Sequence, residues 1–220
     1  MTNRISWIVP LAVSIAAVPA GRLEAQRAAV GVHVAIADYR EQNASLRFQG
    51  GGAGVSIDAR YRRLGLHADA ARLRMETTGS NAGSAEAFDM TQVGVAIRVR
   101  VARTVGLEAG VTSSEAEPRH AAQAVGVLRL GAYSVHALAP GASMSVRANY
   151  LAGAKFSGGG SAPFGVALGL GASYGPGSGR IRFTGDFGFQ RLDRRTNIDG
   201  QKLNVPIQSS ITRLGLALVI

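Results

Sequence analysis

The feature that most constrains this chain is a polarity that reverses at every residue. Beyond residue 27 the apolar period is two, that of a β-strand, and not the 3.6 of a helix. Val30, Val32, Val34 and Ile36 alternate with Gly31, His33, Ala35 and Ala37. Val93, Val95, Ile97, Val99 and Val101 alternate with Gly94, Ala96, Arg98 and Arg100. The same alternation recurs over residues 55–61, 64–69, 105–111, 144–150, 164–173, 181–189 and 213–220. A tenth segment, 123–135, is less regular: Leu128, Leu130 and Ala132 share a face with Gly126, opposite Arg129. Each run is about 9–13 residues, enough to cross a hydrocarbon layer at a tilt of about 45°. No apolar stretch reaches the roughly 18 residues of a membrane-spanning helix.

The links between these segments alternate in length. Short ones fall at Arg62-Arg63, at Ala102-Arg103, at 139–142 and at 176–178. Longer polar ones fall at 41–52, 76–89, 113–121, 156–162 and 190–205. Short periplasmic turns and longer outside loops are the asymmetry of an outer-membrane barrel. A sheet in lipid has to close, because an open edge leaves backbone groups without partners, so the first and last strands are expected to pair. The expected fold is all-β: an antiparallel up-and-down transmembrane barrel of ten strands, or eight if the irregular segment and a neighbour are miscounted. Aromatic residues are only 6% of the chain, so the interface girdles must be thin.

The first 25 residues read as an address. Arg4 opens a short positive region, an apolar run follows to Val18, and small residues come next in VPAGRLEAQ. Cleavage after Ala25 is expected, with Ala20 as the alternative, leaving residues 26–220 as the barrel. It would remove Trp7, the only tryptophan. With no cysteine, disulfide staples, thiolate metal sites and a lipid-modified N-terminal cysteine are excluded.

The closing segment reads polar–x–Gly–x–x–apolar–x–apolar, with Arg213, Gly215, Leu218 and Ile220 at the named positions. It resembles the C-terminal assembly signal of bacterial outer-membrane β-barrel proteins. The resemblance implies that the barrel-insertion machinery reads this strand and that the chain resides in the outer membrane, in contact with lipid and lipopolysaccharide. Many members of that superfamily end in phenylalanine, whereas this chain ends in isoleucine.

The face opposite the apolar one carries the charge. Arg60, Arg98, Arg100, Arg129, Arg147, Arg182 and Arg213 fall on it, as do Asp58, Asp69, Glu108 and Asp186, with His33 and His67. An arginine facing lipid at mid-depth costs about 2–4 kcal/mol, so these residues belong in the lumen of a membrane barrel. A soluble barrel would bury the apolar face instead and hold a greasy ligand. Parity alone does not distinguish the two; the leader, the small-residue face and the terminal signal favour the membrane. The expected lumen is a salt-bridged, largely filled one that stiffens a barrel with a structural or surface-contact role. The alternative is a narrow pore for small anionic solutes, since inward arginines outnumber carboxylates.

The formal net charge is +10, nearly all from arginine. The arginines are scattered singly, with one cluster at Arg191, Arg194 and Arg195, and form no stripe for nucleic acid. GGGAG at 50–54 and GGG at 158–160 lack the lysine and helix of a phosphate loop and are expected in outside loops. GLGASYG at 169–175 sits on a strand. Some outer-membrane barrels are proteases with acidic and histidine pairs at the rim, or acyl-handling enzymes. Here His67 and Asp69 are the only close pair on one face, and His120 lies in a loop. No enzyme activity, metal or cofactor is expected. Arg47, Arg119, Arg191, Arg194, Arg195 and Lys202 on the long links offer a cationic rim for lipopolysaccharide phosphates.

Overall fold

The computed structural model describes residues 26–42, 46–79, 86–118, 124–176, 179–198 and 200–220. The expected leader, Trp7, Arg119 and His120 lie outside the described residues.

Eleven strands run in chain order: β1 (Gln26–Glu41), β2 (Leu46–Tyr61), β3 (Leu64–Thr77), β4 (Phe88–Arg100), β5 (Val105–Glu117), β6 (Val125–Ala139), β7 (Ala142–Phe156), β8 (Ser161–Ala162), β9 (Gly165–Tyr174), β10 (Ile181–Ile198) and β11 (Gln201–Val219). Each pairs antiparallel with its neighbour, and β11 returns to pair with β1, Ala29 opposite Val219 and Glu41 opposite Ile207. The sheet therefore closes. The two-residue β8 pairs with β7 and β10 above the end of β9, so β8 and β9 share one interrupted position in the wall. Pro163, which has no N–H to offer a ladder, stands at the interruption. The result is a ten-stranded barrel.

The irregular segment has a local cause. Between Gly126 and Leu128 the partner on β7 moves from Lys155 to Ala152, so β7 carries one extra residue. Gly153, at φ +63°, occupies that bulge in the left-handed region that glycine enters without penalty. The extra residue flips the facing of β7, so Leu151 and Ala154 both point inward.

The strands run longer than their apolar alternation. GGGAG at 50–54, expected in a loop, lies inside β2, where Gly50 and Gly52 pair with Met75 and Leu73. Residues 190–205, expected as a long link, are the ends of β10 and β11 around a tight turn with Gly200 at φ +82°. The Asp-Gly dipeptide at 199–200 is the usual two-residue hairpin signal and marks this turn in the sequence. Of the link 41–52, Glu41 and residues 46–52 are strand, and 158–160 does lie in a turn.

The outward faces divide the barrel into two zones. At the end carrying Gln26 and Val219 they are apolar: Val32 is 59% exposed, Ile36 68% and Leu214 61%. Tyr61 and Tyr174 stand at the lower margin of this belt, and Tyr150 packs against Phe164 at the upper one, ring centroids 5.8 Å apart. The ten steps along the chain from Phe164 to Tyr174, tilted about 45°, cover ~23 Å, the height of an outer-membrane apolar band. Above the belt the outward residues are charged: Asp38, Arg40, Arg47, Arg72, Arg74, Asp89, Glu115 and Arg195. A soluble barrel has no reason to expose such a belt while burying Glu108 to 3%.

Candidate functional site

The inward faces divide at the same height. Within the belt they are polar and small. His67 bridges two carboxylates, Nδ1 at 3.0 Å from Asp58 Oδ1 and Nε2 at 3.4 Å from Asp69 Oδ1. Arg213 approaches Asp69 at 3.6 Å, donates to Asp186 at 3.1 Å and reaches across to Gln92 Oε1 at 3.2 Å. Arg147 donates to the other oxygen of Asp186. Arg98 donates through Nε to Glu108 at 2.7 Å, lies 3.5 Å from Asp58 and sets its guanidinium over the Tyr133 ring. Asn149 completes Glu108 with a 3.1 Å hydrogen bond. Residues from β2, β3, β4, β5, β7, β10 and β11 are thus tied into one ring. Such a pairing is what a buried charge requires in a low-dielectric interior.

Glycine makes room for this ring. A Cβ on Gly94 would lie 2.7 Å from Asp69 Oδ1, and one on Gly169 would lie 2.8 Å from Arg147 Nε. Larger residues at these places would displace the charged side chains opposite.

Of the lumen residues expected from the alternation, Asp58, His67, Asp69, Arg98, Glu108, Arg147, Asp186 and Arg213 belong to the ring. Arg129 lines the same space without an ion pair among the described residues. Arg60 and Arg182, with Arg27, line its lower mouth. Arg100 is a correction: it is exposed at the lower rim, its backbone N–H donating to Arg63 O, and it does not line the chamber. Strand parity puts its face inward, but the barrel wall ends there. In the terminal motif, Arg213 and Gly215 face inward, while Leu218 and Ile220 are exposed on the belt.

The lumen is also not filled by salt bridges alone. A chamber of about 460 Å³ remains, running from Arg27, Arg60, Arg182 and Val219 at the mouth up to Met90, Phe156, Leu192 and Ile207. Above it apolar side chains pack together in the lumen. Phe48, Leu73, Met75, Phe88, Leu151 and Leu192 are at most 1% exposed, and Tyr39, Met90, Ala116, Val127, Phe156, Ala162 and Ile207 pack around them. The Phe48 and Phe88 rings meet edge to face at 5.1 Å. Arg194 lies over the top, its guanidinium above Phe156 and its Nη2 donating to Gly159 O at 2.8 Å. This layer takes a residue from nearly every strand.

Outside, above the belt, Asp38 accepts from Arg40, Arg47 and Gln49, and Asp89 from Arg72 and Arg74. Partial burial pushes the Asp38 carboxyl upward, but the hydrogen bonds from Gln49 and Arg47 outweigh it and hold the group below the ordinary carboxylate range. Inside, burial with Glu41 beside it pushes the Tyr39 phenol well above its ordinary value.

The alternation predicted which residues face the lumen but not the apolar layer. Its signal was present: Leu73 and Met75 keep the inward parity of His67 and Asp69, while Arg72, Arg74 and Glu76 keep the outward parity of Ala68 and Ala70. The pattern continues with its polarity exchanged.

No protein-family model matches the chain, and no curated protein sequence is similar to it. Solved structures are similar in fold. The outer-membrane protease OmpT from Escherichia coli aligns at a TM-score of 0.51 and 8% identity over 89% of this chain and 96% of that one. An outer-membrane channel from Pseudomonas putida F1 aligns at 0.49 and 10% identity, over 92% and 99%. Ail, the attachment invasion locus protein of Yersinia pestis, aligns at 0.40 and 14%, over 88% and 98%. The fold is that of the outer-membrane β-barrels.

Proposed function

We propose that this chain is an integral outer-membrane β-barrel with a structural or surface-contact role, closed to conduction and without turnover. Residues 1–25 serve as the leader, the short-turn end faces the periplasm, and the strand carrying Arg213, Gly215, Leu218 and Ile220 is the one that the assembly machinery reads. The apolar belt sits in lipid, and the upper third of the wall stands in water as a short, ion-paired collar. Its arginines meet lipopolysaccharide phosphates at the membrane surface.

One observation carries this reading: the buried apolar layer from Phe48 to Leu192 across the upper lumen. A pore needs a continuous wet path, and side chains with no exposed surface do not line one. The layer argues against the anion pore even though the chamber beneath it is rich in arginine. His67 is held by two aspartates in the membrane zone rather than presented at a rim, which argues against a hydrolytic pair there.

Planar-bilayer recording tests the proposal. The purified, refolded protein is expected to be silent, and a variant with Phe48, Leu73 and Phe88 all changed to glycine is expected to produce discrete current steps. Steps of similar size from the unaltered protein would refute the closed reading.

A further inference from the structure

We infer that the chamber beneath the apolar layer is a binding site for a small oxyanion, a carboxylate or phosphate, seated on Arg129. The inference goes beyond the closed-barrel reading and needs only the chamber and its mouth.

The argument begins with an accounting of charge. Four arginines (Arg98, Arg129, Arg147 and Arg213) and four carboxylates (Asp58, Asp69, Glu108 and Asp186) stand at the level of the ring. Every carboxylate there has a hydrogen bond or ion pair, and so do three of the arginines. Arg129 is the exception. Glu108 and Asp69 act on it at a distance. Its Nε and Nη2 have no hydrogen-bond partner among the described residues. Those two nitrogens form the edge of the guanidinium that grips two oxygens of one anion. Arg213 Nε, Thr112 Oγ1 and His33 Nε2 are also without partners, and all three residues line the chamber.

The mouth adds to the case. Arg27, Arg60 and Arg182 line it, so seven arginines in all face the chamber. This is an electrostatic funnel for anions, and its low-dielectric walls strengthen it. At about 460 Å³ the chamber is large enough for a phosphate with several waters. Arg129 lines the chamber, but the two nitrogens of its free edge are themselves buried. Binding therefore requires the long side chain to swing its edge inward, a rotamer change that the open volume permits. An unpaired buried guanidinium gains a charge-assisted pair by that movement.

Titration of the refolded full-length protein with inorganic phosphate, and separately with acetate, by calorimetry in detergent at constant ionic strength tests this. Saturable binding of at least one of the two is expected. Arg129→Gln should weaken it about tenfold or more, as loss of a bidentate charge-assisted contact implies. Arg129→Lys, which keeps the charge but not the fork, should weaken it less. If phosphate alone binds, the site selects a tetrahedral anion; if acetate alone binds, it selects a planar one. No saturable binding of either, or equal binding by the unaltered protein and the lysine variant, overturns the proposal. Should the glutamine variant fail to fold, the lysine variant decides.

Discussion

At the scale of single residues, the lumen is governed by the cost of an unpaired charge. Glu108 is 3% exposed, and Arg98 and Asn149 both donate hydrogen bonds to it. Glu108→Gln removes one half of a buried pair and should lower unfolding stability by about 3 kcal/mol. Changing Arg98 and Glu108 together to methionine should recover at least half of that loss, since both desolvated charges are then gone. Urea titration followed by the mobility shift of the folded form in gels would measure both. A double variant no better than the single one would show that the ring acts as a unit and not as pairs. Glycine matters here through space: at Gly94 and Gly169 the missing Cβ is where a charged side chain from the next strand lies.

At the scale of elements, each long strand is two strands in series. Its lower part obeys the rule of a membrane wall, apolar outside and polar inside. Its upper part obeys that of a soluble barrel, with charge outside and a dry core. On β3 the change falls between Ala70 and Arg72. Leu73→Ala, in the dry layer, should cost about 3 kcal/mol, whereas Arg72→Ala one residue away should leave stability nearly unchanged, because its pair with Asp89 is exposed to solvent. Chemical unfolding of the two variants side by side is the check; equal losses would contradict the inward packing of Leu73. The extent of β2, β10 and β11 was missed in the sequence for a physical reason. A run such as 46–54, rich in glycine, shows little alternation, and its strand conformation comes from pairing with β1 and β3, which is tertiary. The turn at Gly200 was legible as a local signal, but it was outweighed by the polar residues flanking it.

At the scale of the whole molecule, the belt sets the position in the membrane. On β5, Leu107 lies within the belt at 55% exposure and Glu115 lies above it. An arginine introduced at Leu107 should cost about 2–4 kcal/mol in lipid vesicles, and one at Glu115 close to nothing. A flat response along β5 would remove the lipid belt from the account. The same two-zone division separates the charged chamber, at the depth of the belt, from the dry apolar packing above it. With both ends of the wall in different solvents, one barrel has two cores.

The sequence by itself pointed to ten strands with eight left open, and it determined the up-and-down order and the two faces of each segment, because a period of two survives in any sheet and records which residues share a face. It also marked the inward charges. Which of those charges meet, that Arg129 has no ion-pair partner among the described residues, that Arg100 falls below the wall and that an apolar layer packs in the upper lumen were decided only by the tertiary structure. Those facts depend on register, tilt and closure, which bring residues far apart in the chain, such as Gln92 and Arg213, within 3.2 Å of each other. No local pattern encodes such a distance.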